Sequence, residues 1–150
     1  MKTLLITLCV GTTAAMAAPL VTGALSASGQ AAVASYTAVE VCMSEMAAIL
    51  SRIQDKPAAA AESAALLRVG KELKTLLENM DDPYAMGAKA VTTTDAYALR
   101  ACAQRMRVAG MAVQNHMVRL AKVQFYNSPE LIKALQELEM LDDATDSLIR

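Results

Sequence analysis

The sequence predicts an all-α fold: an up-down bundle of three long antiparallel helices with a shorter C-terminal fourth helix. Three observations carry this expectation. Helix formers dominate, with 55% hydrophobic residues but only 3% aromatic ones, and strand signals are nearly absent. Apolar residues recur at alternating spacings of three and four. Proline or a polar cluster interrupts the pattern at intervals that suit helix ends.

The first predicted helix runs over 31–55, where Val39, Cys42, Met46, Ile49 and Ile53 form one stripe. Pro57 ends it, because proline cannot continue the hydrogen-bond ladder but suits the first turn of a new helix. The second is expected over 57–80, with Leu66, Val69, Leu73, Leu76 and Met80 buried and Leu67 and Leu77 widening the stripe. Gly70 reads as a local weakness of about 1 kcal/mol against alanine. Asp82 before Pro83 is biased out of helical geometry. The longest connection follows, over 81–94, and Thr92 or Thr93 can cap what comes next, with Asp95 adding negative charge in the first turn. The third helix is expected over 95–126, with Leu99, Cys102, Met106, Ala109, Val113 and Leu120 on its buried face. Ser128 as cap, Pro129 in the first position and Glu130 in the first turn start the fourth, which uses Leu131, Leu135, Leu138 and Leu141. Acids on the fourth segment and Arg100, Arg105, Arg107, Arg119 and Lys122 on the third could pair, or remain two solvated faces.

The N-terminus reads as an export signal. Lys2 is a minimal positive region, "TLLITLCV" an apolar core, and Ala15-Met16-Ala17 a small-residue cleavage pattern. The expected organisation is a signal peptide over 1–17, a flexible segment over 18–30, a bundle domain over 31–141 and a frayed tail over 142–150. If that signal stayed uncleaved it would act as a membrane anchor. The expected location is periplasmic or secreted. Cleavage removes Cys9 and leaves Cys42 and Cys102.

Those two cysteines are expected to form a disulfide. If the third helix starts level with residue 33, both lie at nearly the same height on core stripes, differing by about 3 Å. An oxidising compartment favours the bond. The closed loop of about 60 residues would contribute roughly 4 kcal/mol. Two separate buried thiols are the bland alternative. A soft-metal site for Cu(I) is the sharper one, because Met46 and Met106 match in height by the same counting, one turn beyond Cys42 and Cys102. Methionine at helical spacing is more often core filler.

Other chemistry is thin. His116 is the single histidine and is placed level with the turn at Asp55 and Lys56, where a polar contact is expected. One histidine cannot build a paired Glu-x-x-His metal site. No phosphate loop, nucleophile elbow or zinc-protease motif occurs. A net charge of −1 argues against nucleic acid as a partner. With no tryptophan and one phenylalanine, rigid aromatic pocket walls are scarce.

The stretches "LSRIQDK" (50–56), "GKELKTLL" (70–77) and "YNSPEL" (126–131) resemble segments of uncharacterised exported helical-bundle proteins of Gram-negative bacteria. The likeness covers roughly residues 36–138 and implies an exported helical bundle; the family brings no activity with it. The expected function is therefore non-enzymatic and without a cofactor: an exported bundle acting through an unidentified protein partner or in the cell envelope. A copper-binding protein and a periplasmic chaperone-like protein are the alternatives, and self-association is compatible with all three.

Overall fold

A computed structural model of the chain describes residues 24–80 and 92–140. The expected signal peptide, most of the long connection and the expected tail lie outside the described residues. Four α-helices account for most of the rest: α1 (Ala27–Arg52), α2 (Lys56–Glu78), α3 (Thr93–Lys122) and α4 (Pro129–Glu137), with a short 3-10 turn at Gln124–Asn127. The all-helical class is as expected. α1 packs along both α2 and α3, and α4 packs on α2.

The stripe of α1 is buried as the spacing requires: Val39, Cys42, Met46, Ile49 and Ile53 are all at most 5% exposed. Leu66 and Val69 of α2, Leu120 of α3 and Leu131 and Leu135 of α4 complete the centre of the core. Toward the end of α2 burial declines. Leu73 and Leu76 are half-buried, and Leu77 is 42% exposed.

The start of α1 departs from the expectation. The helix begins at Ala27, inside the segment expected to be flexible, because Ser26 caps it and Asp95 of α3 anchors the cap. Ser26 donates from its backbone N–H to Asp95 Oδ1 at 3.0 Å and from its hydroxyl to Oδ2 at 2.7 Å. The same hydroxyl accepts from the Gly29 N–H. Thr92 donates its N–H to Asp95 Oδ2, and Asp95 returns its own N–H to the Thr92 hydroxyl, closing a capping box. One carboxylate thus serves the N-termini of two helices, where the macrodipole favours negative charge. Asp95 is fully buried. Gly29 is what admits it: a Cβ there would stand 2.1 Å from Asp95 Oδ1.

α3 also holds the other end of α1. Arg119 Nη2 donates to the Leu50 carbonyl at 2.7 Å and Nη1 to the Ile53 carbonyl at 2.9 Å. These are carbonyls at the end of a helix, with few partners of their own. The polar contact expected from His116 is made instead by Arg119, three residues further on, and no hydrogen bond of His116 is found among the described residues. Ser26–Asp95 and Leu50–Arg119 are both offset by 69 positions, and Ile53–Arg119 by 66.

α3 stops at Lys122, before the expected end at 126. Gln124, Phe125, Tyr126 and Asn127 all have φ between 48° and 54°, a left-handed turn built without glycine. Each such residue costs about 1–2 kcal/mol. Burial of Phe125 at 7% exposure and of the Ser128 cap opposes that cost. The Ser128 hydroxyl accepts from the Leu131 N–H and donates to Glu130. The acids of α4 do not meet α3. Glu137 and, just beyond the helix, Glu139 pair instead with Lys71 and Lys74 of α2.

Two outcomes test this frame. Gly29→Ala should destabilise by about 1–3 kcal/mol through overpacking, and by less in an Asp95→Ala background, as read by urea unfolding. Hydrogen bonds from Ser26 and then Thr92 hold the Asp95 carboxyl below its ordinary value near 3.8. Its contribution to stability is therefore complete above that value and is lost as pH falls through the depressed one. Stability measured from pH 7 to pH 2 should fall less steeply in Asp95→Asn than in the natural chain. Separately, Gln124→Gly should stabilise by about 1 kcal/mol, whereas Gln114→Gly within α3 should cost about as much.

Candidate functional site

The side chains singled out by sequence are Cys42, Met46, Cys102 and Met106. Cys42 and Met46 lie on the buried stripe of α1, Cys102 is 2% exposed on α3, and Met106 is half-buried. Both cysteines are free thiols. The helix register explains why they are not bridged. α1 and α3 are offset by 66–69 positions at their clamped ends and by 65 where Arg105 donates to Glu40. Cys42 and Cys102 are offset by only about 60, which leaves a height difference of roughly 8–13 Å. A disulfide needs Cα atoms within about 7 Å. The expectation placed the start of α3 level with residue 33, whereas Asp95 sits level with Ser26, about two turns lower. Met46 and Met106 share the cysteines' offset of 60 and differ in height in the same way, whereas Cys42 and Met106, offset by 64, come near the level at which Arg105 meets Glu40.

Each thiol has its own surroundings. Burial pushes the Cys42 thiol up; Glu72 and Glu45 add to the shift and Arg68 opposes it. Cys102 Sγ accepts from Arg105 Nη2 at 3.2 Å, while the Nε of the same guanidinium donates to Glu40 at 2.9 Å. Among the described residues no three of His, Cys, Asp and Glu are grouped as metal ligands would be.

A concave feature lined by described residues lies elsewhere. A groove of about 630 Å³ opens beside α4, between α2 and α3, with α1 as its floor. Met43 and Met46 come from α1, Leu73 and Leu77 from α2, Val113 from α3. Leu138 and Met140, just beyond α4, close one end. Charged groups stand only among the α2 and post-α4 residues: Lys74, Glu78 and Glu139. Lys74 pairs with Glu139 at 3.6 Å. The volume lies within the range of about 300–1,000 Å³ usual for ligand sites.

Two glycines shape this region differently. At Gly70 a Cβ would stand 2.4 Å from Leu138 Cδ1, so this residue is where α2 admits the end of the α4 segment. It is a seat for Leu138, which the reading of Gly70 as a weak point missed. At Gly110 a Cβ would meet only Met43 Sδ, at an ordinary 3.7 Å. The sequence signal for both was a glycine set within an otherwise strong helical pattern.

No family model, no curated protein and no solved structure matches the chain.

One further feature bears on location. Among the described helices α1 is long and apolar enough to cross a membrane by length and composition. Here its apolar stripe is covered by its helix neighbours.

The geometry makes a direct prediction for the thiols. In the folded chain, Cys42 and Cys102 should resist alkylation and should both react once the chain is unfolded in denaturant, read by intact mass. Mild oxidation of the folded protein should leave its mass two hydrogens above that of an internally bridged form.

Proposed function

We propose that the protein is an exported, non-enzymatic helical scaffold that acts through contact with another protein. One pattern carries this reading: how the side chains are distributed between interior and surface. Among the described residues the buried polar side chains are Ser63, Asp95 and Ser128. Each is occupied with backbone of its own helix or a neighbouring helix end: Ser63 donates to the Ala60 carbonyl, Asp95 caps two helices and Ser128 caps a third. None of the three is held ready for a substrate. Large apolar side chains, by contrast, remain outside. Tyr97, Val108 and Met111 are each more than half exposed and share one side of α3. Exposed apolar surface that exceeds isolated residues is characteristic of protein contacts.

The finer architecture belongs to the same reading. An up-down course of three long helices and a short fourth is supported by the order of the cross-links. Arg52 reaches Glu62 and Glu45 reaches Arg68, so residue numbers fall on α1 as they rise on α2. Numbers rise together on α1 and α3, from Ser26–Asp95 to Leu50–Arg119. The export signal over residues 1–17 supports a periplasmic or secreted location.

Site-specific photo-crosslinking in intact cells tests the proposal. A crosslinking residue at position 97, 108 or 111 should join the exported chain to one discrete protein, and the same residue at buried position 66 should not. Purification from the native compartment with a stoichiometric cofactor or with turnover would contradict the reading.

A further inference from the structure

The groove beside α4 is the unfilled part of a fourth-helix position. α1 forms the floor, with α2 and α3 as walls, and the seam between those walls is where the fourth member of a bundle packs. α4 occupies only part of it. It has 9 residues against 23 in α2. Its beginning lies toward Lys56, whose charge lowers the Glu130 carboxyl after that residue's own N–H and the Ser128 hydroxyl. Its end lies at Lys71 and Lys74, through Glu137 and Glu139. There the chain turns away: Glu139 has φ 58°, and the Met140 N–H bonds back to the Leu135 carbonyl. That is a Schellman stop, here built on a non-glycine residue. The groove begins where α4 stops, with Leu138 and Met140 as its end wall.

From these features the geometry points to an amphipathic α-helix of a partner protein, bearing an apolar stripe and a basic residue, as the occupant of this groove. The inference rests on the contact function proposed above and names the surface and the partner's chemistry. Three observations select such a helix. Beyond the Gly70 seat of Leu138, the α2 wall from Leu73 to Glu78 is about 8 Å long, about one and a half helical turns, and lies in line with α4. The walls include Met43, Met46 and Met140, flexible side chains that adapt to an apolar helix face. At the rim, Lys74 is tied to Glu139, and Glu78 has no ion pair among the described residues. The rim is therefore net negative and complements a cation on the incoming helix.

Gly110 makes the idea testable without endangering the fold. Leucine at 110 fits at its Cβ, suits a helix better than glycine and projects toward the groove. The probe is a peptide of about 18 residues made of leucine and lysine, with its leucines on one stripe and long enough to hold a helix when docked. Its controls are a scrambled version and a leucine–glutamate version. Binding to the full mature chain is read by calorimetry, with helix content checked by circular dichroism. The striped lysine peptide should bind, the scrambled one should not, and the glutamate version should bind more weakly. Gly110→Leu should weaken binding by tenfold or more, on the order of an overpacking penalty. Glu78→Lys should weaken it by roughly fivefold, the scale of one exposed ion pair.

Equal binding of the scrambled peptide, or binding unchanged in Gly110→Leu, would overturn the inference. So would binding that appears only after removal of residues 141–150, which would assign the groove to the chain itself. A dimer that Gly110→Leu converts to monomer would assign it to a second copy. Crosslinks from positions 97, 108 and 111 that persist in Gly110→Leu would sustain the contact function even if the groove assignment failed.

Discussion

α3 grips α1 at both ends, and the other features follow from that grip. α1 has no acidic residue in its own first turn. The negative charge that its N-terminus favours comes from Asp95, which also caps α3 itself. At the far end the planar fork of Arg119 supplies donors to the Leu50 and Ile53 carbonyls. A guanidinium suits this task because its N–H groups diverge in a fixed plane. Both clamps sit at helix ends, where backbone groups lack partners, so a shift of either helix by one turn would leave several buried polar atoms unsatisfied. Among the described residues no buried side-chain nitrogen or oxygen is left without a partner.

A fixed register has consequences along the whole length of the pair. It sets Cys102 two turns away from the height that would bring it to Cys42, so each thiol keeps separate neighbours. It brings Glu40 and Arg105 together on an outer face, and with them the contact to Cys102. It also sets Met43 opposite Gly110, where a missing side chain on α3 leaves the groove open. α2 is held to α1 by core packing and by exposed pairs such as Arg52–Glu62 and Arg68–Glu45. Such pairs contribute little individually, and the position of α2 rests on Leu66, Val69 and the Gly70–Leu138 contact.

Much of the fold was legible in the sequence because helical periodicity is a local property. The five stripe residues of α1 are all buried, and Ser128, Pro129 and Glu130 begin α4 as their chemistry requires. Thr92 and Asp95 were readable as a cap, but the second helix that Asp95 serves was not. That link depends on Gly29, which carries no pattern of its own. The height of α3 was illegible for a physical reason. A connection of about a dozen residues can reach tens of ångströms, so its length leaves the start of the next helix open by several turns. The left-handed turn at Gln124–Asn127 was also hidden. It contains no glycine, and only Asn127 belongs to the residues that accept such geometry readily. The groove escaped notice because it depends on where α4 stops relative to α2, a matter of packing and not of periodicity.

Spin-label distances give the most direct test of the register. Val41 on α1, and Ala101 and Val108 on α3, are all exposed, and the last two lie one heptad apart on the same side of their helix. Labels would be placed at 41 with 108, and at 41 with 101, in a chain whose two native cysteines are replaced by alanine. The clamped register puts 108 close to the height of 41 and 101 roughly 8–13 Å away along the axis, so the 41–108 distance should be the shorter. A shorter 41–101 distance would mean that Asp95 and Arg119 do not set the alignment of these helices.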